Sequence, residues 1–307
     1  MRLSYTVDAA HDSRAIRQLA MSPLRLSVKL WKHIKWNGTI LVNGKPCRDA
    51  SLRVKAGDEL TMLWQEASPV VPVDRPLDIL YEDEAFLIVN KPAAMIIHPT
   101  HREARDTLVH AVAGYFQRRG ERVGIHPLYR LDRDTTGIVI LAKSAHIQHA
   151  MTQHHGQIDR EYLALAQGHL DRPSGRIDMP IGRDMSKANH WQVRADGKRA
   201  LTEYKVIASW PAYSLLKIHL LTGRTHQIRV HLAVLGHPLL GDAAYGGPCN
   251  MMQRQALHAW RVRFIHPDTG KEIRLEASLP EDMRRLILSE IVSRETSLEE
   301  SEGKKAK

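Results

Sequence analysis

The spacing of apolar positions changes character twice along the chain. From Arg14 to Ala20, and again from Leu24 to Lys35, apolar residues recur at helical spacing with arginine and lysine between them, which predicts two short amphipathic helices. Strand patterns follow. Ile40-Leu41-Val42 runs into Asn43-Gly44, the dipeptide that best tolerates the positive φ angles of a tight hairpin turn, and Leu60 to Trp64 closes the segment as a further strand. Ala67 to Pro76 has no period: its three prolines and three valines read as an extended linker without backbone donors at Pro69, Pro72 and Pro76.

Beyond the linker the chain turns strand-rich. An acidic turn, Glu82-Asp83-Glu84, precedes Phe86-Leu87-Ile88-Val89, a buried-strand pattern that stops at Asn90-Lys91-Pro92. Further strands are expected at Ile138 to Ala142, Tyr162 to Ala166, Leu201 to Ala208 and Tyr213 to Leu221. Helices are expected at Thr107 to Gln117, Ala145 to His154 and Thr225 to Leu235, the last stopped by Gly236 and Pro238. Strands outnumber helices, which places the fold in the α+β class. From Ser289 the chain becomes Ser/Glu/Lys-rich and cannot bury enough apolar surface to order itself. The expected organisation is a small domain over 1–66, a linker over 67–76, a larger domain over 77–288 and a disordered tail over 289–307.

Charge narrows the partner. The 307 residues carry a formal net charge of +10, spread over the whole length, which favours a polyanion, and nucleic acid first. Cys47 and Cys249 form neither a paired spacing nor a C-x-x-C motif, so a disulfide framework or thiolate zinc site is not expected. Met1 to Ala20 has no continuous apolar segment, so neither a secretory signal nor a membrane anchor is expected there. A cytoplasmic monomer with no membrane partner and no small-molecule cofactor is the expectation.

Candidate chemistry gathers in three segments of the larger domain. The first is Tyr129-Arg130-Leu131-Asp132-Arg133-Asp134-Thr135-Thr136-Gly137, in which Asp132 lies between two arginines just ahead of an apolar strand; nearby cations favour its ionised form, available as a nucleophile. The second is Asp159-Arg160-Glu161-Tyr162-Leu163. The third is Leu221-Thr222-Gly223-Arg224-Thr225-His226-Gln227-Ile228-Arg229-Val230-His231-Leu232. There Thr225 is expected to cap a helix whose apolar face holds Ile228, Leu232 and Leu235, leaving Arg229 one turn in. A guanidinium at that place offers a planar, two-pronged partner to a carboxylate.

These segments resemble the motifs of the RluA-type family of RNA pseudouridine synthases, whose active-site segment reads Arg-Leu-Asp, a variable pair, then Thr-Ser-Gly. Asp83-Glu84 through Pro92 with His98-Pro99, and Ala256-Leu257-His258-Ala259 with His266-Pro267 and Leu279-Pro280, extend the resemblance over nearly all of 77–285. Five segments in the family's order make the signal specific. The small domain, with Gly38 to Lys45 as its hairpin and Gly57-Asp58-Glu59-Leu60 as its close, resembles the S-four-like RNA-binding fold.

The resemblance implies a pseudouridine synthase catalytic fold with a central mixed, largely antiparallel sheet, preceded by that small α+β domain. It implies isomerisation of uridine in RNA to pseudouridine, without metal, nucleotide or redox cofactor. Asp132 matches the catalytic aspartate; attack on the sugar's anomeric carbon, attack on the base ring and assistance to elimination are all open to it. Tyr162 matches the tyrosine expected to stack on the base and help remove its carbon-5 proton. Arg229 matches the arginine that pairs with the aspartate. Arg130 matches the arginine that fills the gap left by a base turned out of a helix. Arg224 and Lys91 are candidate RNA contacts, and Arg14, Arg17, Arg25, Lys29, Lys32 and Lys35 are those of the small domain. An S-four-like domain in this position favours large-subunit ribosomal RNA over transfer RNA.

The sequence departs from the family at Tyr129, usually His, at Thr136, usually Ser, and at Arg160, usually Lys. Thr136 keeps a hydroxyl for its turn, whereas Tyr129 is expected to alter substrate placement. Blander readings stand beside these. Asp132 can simply close a loop, Tyr162 can be a core aromatic, Arg229 and the small domain's cations can solvate helix faces, and Arg224, Lys91 and Arg254 can brace loops. Two other classes fit the charge: a metal-dependent nuclease built on His98 and His101 or His146 and His149, and a non-catalytic RNA-binding assembly factor.

Overall fold

Two stretches of backbone carry the site, and the elements around them follow from where apolar residues repeat. The computed structural model describes residues 1–66, 68, 70–99, 106–153 and 158–290. Ala67, Pro69, His101, His154 and, but for two residues, the expected tail lie outside the described residues; 289 and 290 end a helix over 281–290 that the pattern of apolar positions does not predict. The chain divides into two compact units: Met1–Ile88 with His98–Leu128 and Ile140–His155, and Val89–Ile97 with Tyr129–Val139 and Gly156–Lys307.

The first unit opens with strand β1 (Arg2–Thr6), strand β2 (Arg14–Ala15), helix α1 (Ile16–Met21), helix α2 (Val28–Asn37) and strands β3 (Thr39–Val42), β4 (Lys45–Pro46), β5 (Arg53–Val54) and β6 (Glu59–Leu63). Four of the strands form an antiparallel sheet in the order β1-β6-β3-β4. Asn43 and Gly44 take φ angles of 50° and 75° at the hairpin, as that dipeptide predicts. Helix α1 starts later than Arg14 because Arg14 and Ala15 pair with Val54 and Arg53. Ser27 caps α2, its Oγ accepting from the Leu30 amide at 3.1 Å. Ile16, Leu19, Leu30, Trp31, Ile34, Leu60 and Met62 fill the core between helices and sheet, while Arg14, Arg17, Lys29, Lys32 and Lys35 stay exposed.

The rest of the first unit holds strand β7 (Ile79–Glu82), the first half of strand β8 (Phe86–Lys91), helix α3 (Leu108–Arg118), strand β9 (His126–Pro127), the end of strand β10 (Thr136–Ala142) and helix α4 (Ala145–Gln153). Phe86 to Val89 and Thr136 to Ala142 are buried at every position, which is why they read as continuous apolar runs rather than alternations.

The second unit contains strands β11 (Asp159–Gln167), β12 (Ser174–Asp178), β13 (Ile181–Arg183), β14 (Trp191–Val193), β15 (Leu201–Ser209) and β16 (Tyr213–Leu220), helix α5 (Gln227–Val234), and strands β17 (Leu257–Ile265) and β18 (Glu272–Glu276). Its sheet runs β12-β15-β16-β11-β17-β10, with β18 on β17. Every pairing there is antiparallel except β10 with β17, so the sheet is mixed and largely antiparallel in an α+β fold. One row of this sheet positions the site. Tyr162 on β11 lies opposite Ala259 on β17, and Ala259 lies opposite Gly137 on β10. A Cβ on Gly137, at φ 111°, would stand 2.2 Å from the Ala259 carbonyl oxygen, so only glycine lets the strand leave the Asp132 loop here.

Candidate active site

The Asp132 loop has no regular secondary structure, so its backbone polar groups need partners from elsewhere. Cations supply them. Lys91 Nζ donates to the carbonyls of Arg133 (2.9 Å), Met95 (2.8 Å) and Pro92 (2.8 Å), and the Met95 amide donates to the same Arg133 carbonyl at 3.1 Å. Arg254 Nη1 donates to the Asp134 carbonyl at 3.0 Å while its other nitrogens grip Asp282 at 2.7 and 2.8 Å. Thr136 Oγ1 meets His258 Nδ1 at 2.9 Å, so the hydroxyl expected to serve its own turn ties the loop's exit to β17 instead. Lys91 is 1% exposed and turned towards carbonyls, so it braces the loop, one of the two readings the sequence leaves open for it. Burial lowers its pKa to about 7, opposed by the nearby charges of Asp134 and Asp132.

Asp132 meets its partner on α5. The guanidinium of Arg229 is shared: Nε and Nη2 hold the two oxygens of Asp242 at 2.7 Å each, and Nη1 reaches Oδ2 of Asp132 at 3.1 Å. Asp242 is 2% exposed and Arg229 7%. Burial works against the arginine's charge, yet Asp242 and then Asp132 overcome it and raise its pKa. Two carboxylates share one cation, and the two-pronged grip belongs to Asp242. Oδ1 of Asp132 has no partner among the described residues, although a quarter of the side chain is open to solvent (24%).

The start of α5 differs from expectation. Thr225 does not cap it; the cap position falls on His226, at φ 56°, and Gln227 Oε1 takes up the Arg224 amide at 3.0 Å and the Thr222 hydroxyl at 2.8 Å. His226 Nε2 stands 3.7 Å from Asp132 Oδ2, and its Nδ1 lies 2.8 Å from the Tyr245 hydroxyl. Burial lowers the histidine's pKa, against the pull of Asp132. Tyr162 is 4% exposed, and its hydroxyl has no hydrogen-bond partner among the described residues. Burial raises its pKa, with Arg160 opposing and Asp132 adding to the rise, so it stays a neutral phenol beside both charges. Tyr129, expected to alter substrate placement, donates its hydroxyl proton to the Ile138 carbonyl at 3.0 Å, and the Arg160 guanidinium lies 5.1 Å from its ring centre.

Asp132, Arg229 and Tyr162 thus come together in the second unit. Arg130 and Arg224 are exposed beside them; Arg130 has no partner among the described residues, and Arg224 donates through Nε to the Arg199 carbonyl at 2.9 Å. Arg14, Arg17 and Lys29 are exposed on the first unit. Asp242, His226 and Tyr245 were not singled out by sequence reasoning. Asp242 follows Gly241, which sits at φ 74° where a Cβ would stand 1.9 Å from the Arg254 carbonyl oxygen. Among the described residues no three His, Cys, Asp or Glu side chains gather as metal ligands, and His101 lies outside them. No helix there is long and apolar enough to cross a membrane.

Residues 85–234 match the family model described as RNA pseudouridylate synthase. An uncharacterized RNA pseudouridine synthase of Bacillus subtilis, YhcT, is 43% identical over 240 residues, covering 76% of this chain and 79% of the relative. Ribosomal large subunit pseudouridine synthase D of Escherichia coli is 37% identical over 268 residues, covering 81% of each. Among solved structures, human RNA pseudouridylate synthase domain containing 4 superposes with a TM-score of 0.55 at 22% identity, over 67% of this chain and 90% of that one, a likeness of fold. The chain belongs to the RluA-type family of RNA pseudouridine synthases. It is an isomerase, and its substrate is RNA.

Proposed function

We propose that Asp132 is the catalytic aspartate of this isomerisation, with Arg229 as its partner and Tyr162 under the base. The reaction breaks the bond from uracil N1 to the sugar and makes one from C5; the C5 proton is lost and N1 gains one, so no electrons or water enter the balance. The supporting observation is the asymmetry of the Asp132 carboxylate: Oδ2 is held by a guanidinium already committed to Asp242, and Oδ1 is free. An oxygen oriented this way suits attack on the sugar, attack on the ring and assistance to elimination alike, the same device that glycosidases bring to a sugar carbon developing positive charge. Tyr162, a neutral phenol with an uncommitted hydroxyl, offers a flat apolar face for the uracil.

Arg130 takes the place of the extruded base, since its exposed guanidinium has no competing partner among the described residues and suits stacking. Arg224 contacts the backbone of the RNA. The small S-four-like domain adds Arg14, Arg17 and Lys29 to the RNA contact. The RNA is large-subunit ribosomal RNA, a reading supported by the relative named ribosomal large subunit pseudouridine synthase D and by the small domain at the front of the chain. The chain acts as a cytoplasmic monomer. Mapping pseudouridines in total RNA from cells with and without the gene tests this reading. Loss of signal at positions in the large-subunit RNA is expected; loss confined to transfer RNA overturns the ribosomal assignment, and no loss anywhere overturns the catalytic one.

A further inference from the structure

His226 stands in a conformation that costs a histidine something. Its φ of 56° and ψ of 19° lie in the left-handed region, and it occupies the cap position of α5 without making a capping hydrogen bond. Strain of this kind persists where surrounding structure holds it and where the side chain's position matters. What the strained backbone achieves is to place the imidazole between Tyr245 and Asp132, Nδ1 at 2.8 Å from the phenol oxygen and Nε2 at 3.7 Å from the carboxylate.

The hydrogen bonds around Tyr245 decide which nitrogen carries the proton. The phenol oxygen accepts from the Trp191 amide at 3.1 Å. Its single proton is then left to donate, and His226 Nδ1 is its hydrogen-bond acceptor among the described residues. The ring that carries this hydroxyl is clamped: His190 stacks on it at 4.5 Å between ring centres, and the Arg229 guanidinium lies 4.9 Å from its centre. Burial raises the Tyr245 pKa to about 12, so the proton is present throughout the working range. An imidazole that accepts at Nδ1 and is neutral carries its hydrogen on Nε2.

We propose that Tyr245 fixes His226 as its Nε2–H tautomer, making it a positioning residue whose N–H is aimed at Oδ2 of Asp132, so that Oδ2 is held from two sides and Oδ1 is the oxygen that engages the nucleotide. This rests on Asp132 being the catalytic aspartate. A neutral donor suits the task better than a second cation. Arg229 already brings a full charge, most of it answered by Asp242; another charge on Asp132 would draw down the carboxylate's reactivity, whereas a neutral N–H orients the group and adds only a dipole. The 3.7 Å gap is longer than a hydrogen bond, and the proposal requires it to shorten when the nucleotide engages Oδ1.

The test is a nitrogen-15 NMR spectrum of the full chain with labelled histidine, the His226 signal assigned by its absence in His226→Asn. Wild type is expected to show the Nε2–H pattern and Tyr245→Phe a shift towards Nδ1–H, because Nδ1 has lost its donor. On substrate RNA, Tyr245→Phe is expected to lose kcat by roughly tenfold, the rate equivalent of one hydrogen bond, with KM little changed. His226→Asn, which tolerates the left-handed conformation and keeps an N–H, is expected to retain more activity than His226→Leu. An Nδ1–H wild type, a Tyr245→Phe enzyme with wild-type kcat, or equal losses in Asn and Leu each overturn the proposal. If Asp132→Asn keeps full activity while the tautomer is as expected, it is the assignment of Asp132 that fails, and the role of His226 with it.

Discussion

Two arginines with little of their side chains exposed, 9% for Arg229 and 10% for Arg254, bracket the Asp132 loop and do different things with the same hardware. Arg229 and Arg254 each grip an aspartate through Nε and Nη2 and spend Nη1 on the loop. From Arg229 that third contact reaches a side chain, the Asp132 carboxylate; from Arg254 it reaches backbone, the Asp134 carbonyl. The aspartates they grip differ as well: the Asp242 side chain is 1% exposed and that of Asp282 is 42%. On the reading proposed above, one pair orients the reacting carboxylate from a buried aspartate, and the other pins a loop at the surface. A guanidinium suits both because a two-pronged grip on one carboxylate is combined with donation to further acceptors.

Substitutions separate the two. Arg229→Leu leaves Asp242 buried and unpaired, and is expected to cost about 3–5 kcal/mol of stability along with nearly all pseudouridine formation. Arg229→Lys, which keeps the charge but not the fork, is the cleaner probe, expected to fold and to lose roughly a hundredfold in kcat. Arg254→Leu leaves Asp282 to water, so about 1–2 kcal/mol of stability and less than about tenfold in kcat are expected. Urea unfolding and single-turnover rates on the three proteins check this order. Equal losses of kcat at the two positions would break the distinction between holding the carboxylate and holding the backbone.

Arg130 sharpens it from the substrate side. Arg130→Ala is expected to slow turnover on structured RNA about tenfold more than on a flexible single strand, because only the former needs the base extruded at a cost of a few kcal/mol. Equal slowing on both sinks the gap-filling role. The smallest effect is expected at Lys91. Folding lowers its pKa from 10.5 to about 7, so between those values the unfolded chain holds a proton that the folded chain has released. Wild-type stability therefore rises with pH across that window. Lys91→Met lacks this dependence, and is expected to fall further behind wild type at about pH 9.5 than at about pH 7 in urea midpoints. A constant gap would show that the ammonium stays charged.

How much of this could be read from the chain depends on how local each cause is. Strands β8, β10, β11, β15 and β16 were legible because continuous burial or period-two alternation is written into neighbouring residues. The pairing of Asp132 with Arg229 was legible only through motifs, since 97 residues separate the two. Asp242 was not, because its partner lies on another element and nothing beside it in sequence marks it as an anion buried against a cation. The Lys91 side chain reads as a surface cation until three carbonyls are seen to surround it. The start of α5 was misplaced for a similar reason: Thr225 is a good cap in sequence, but Gln227 satisfies the first turn from inside and leaves His226 free to take a strained position.

The most direct measurement is pseudouridine formation and RNA binding by Asp132→Asn. The substitution keeps the shape and the Arg229 contact while removing the charge and the reactive oxygen pair. An Asp132→Asn protein that binds substrate RNA with wild-type affinity and forms no pseudouridine is the result expected. Pseudouridine formation at the wild-type rate would contradict the assignment of Asp132, and with it the reading of Arg229 as the arginine that holds the reacting carboxylate.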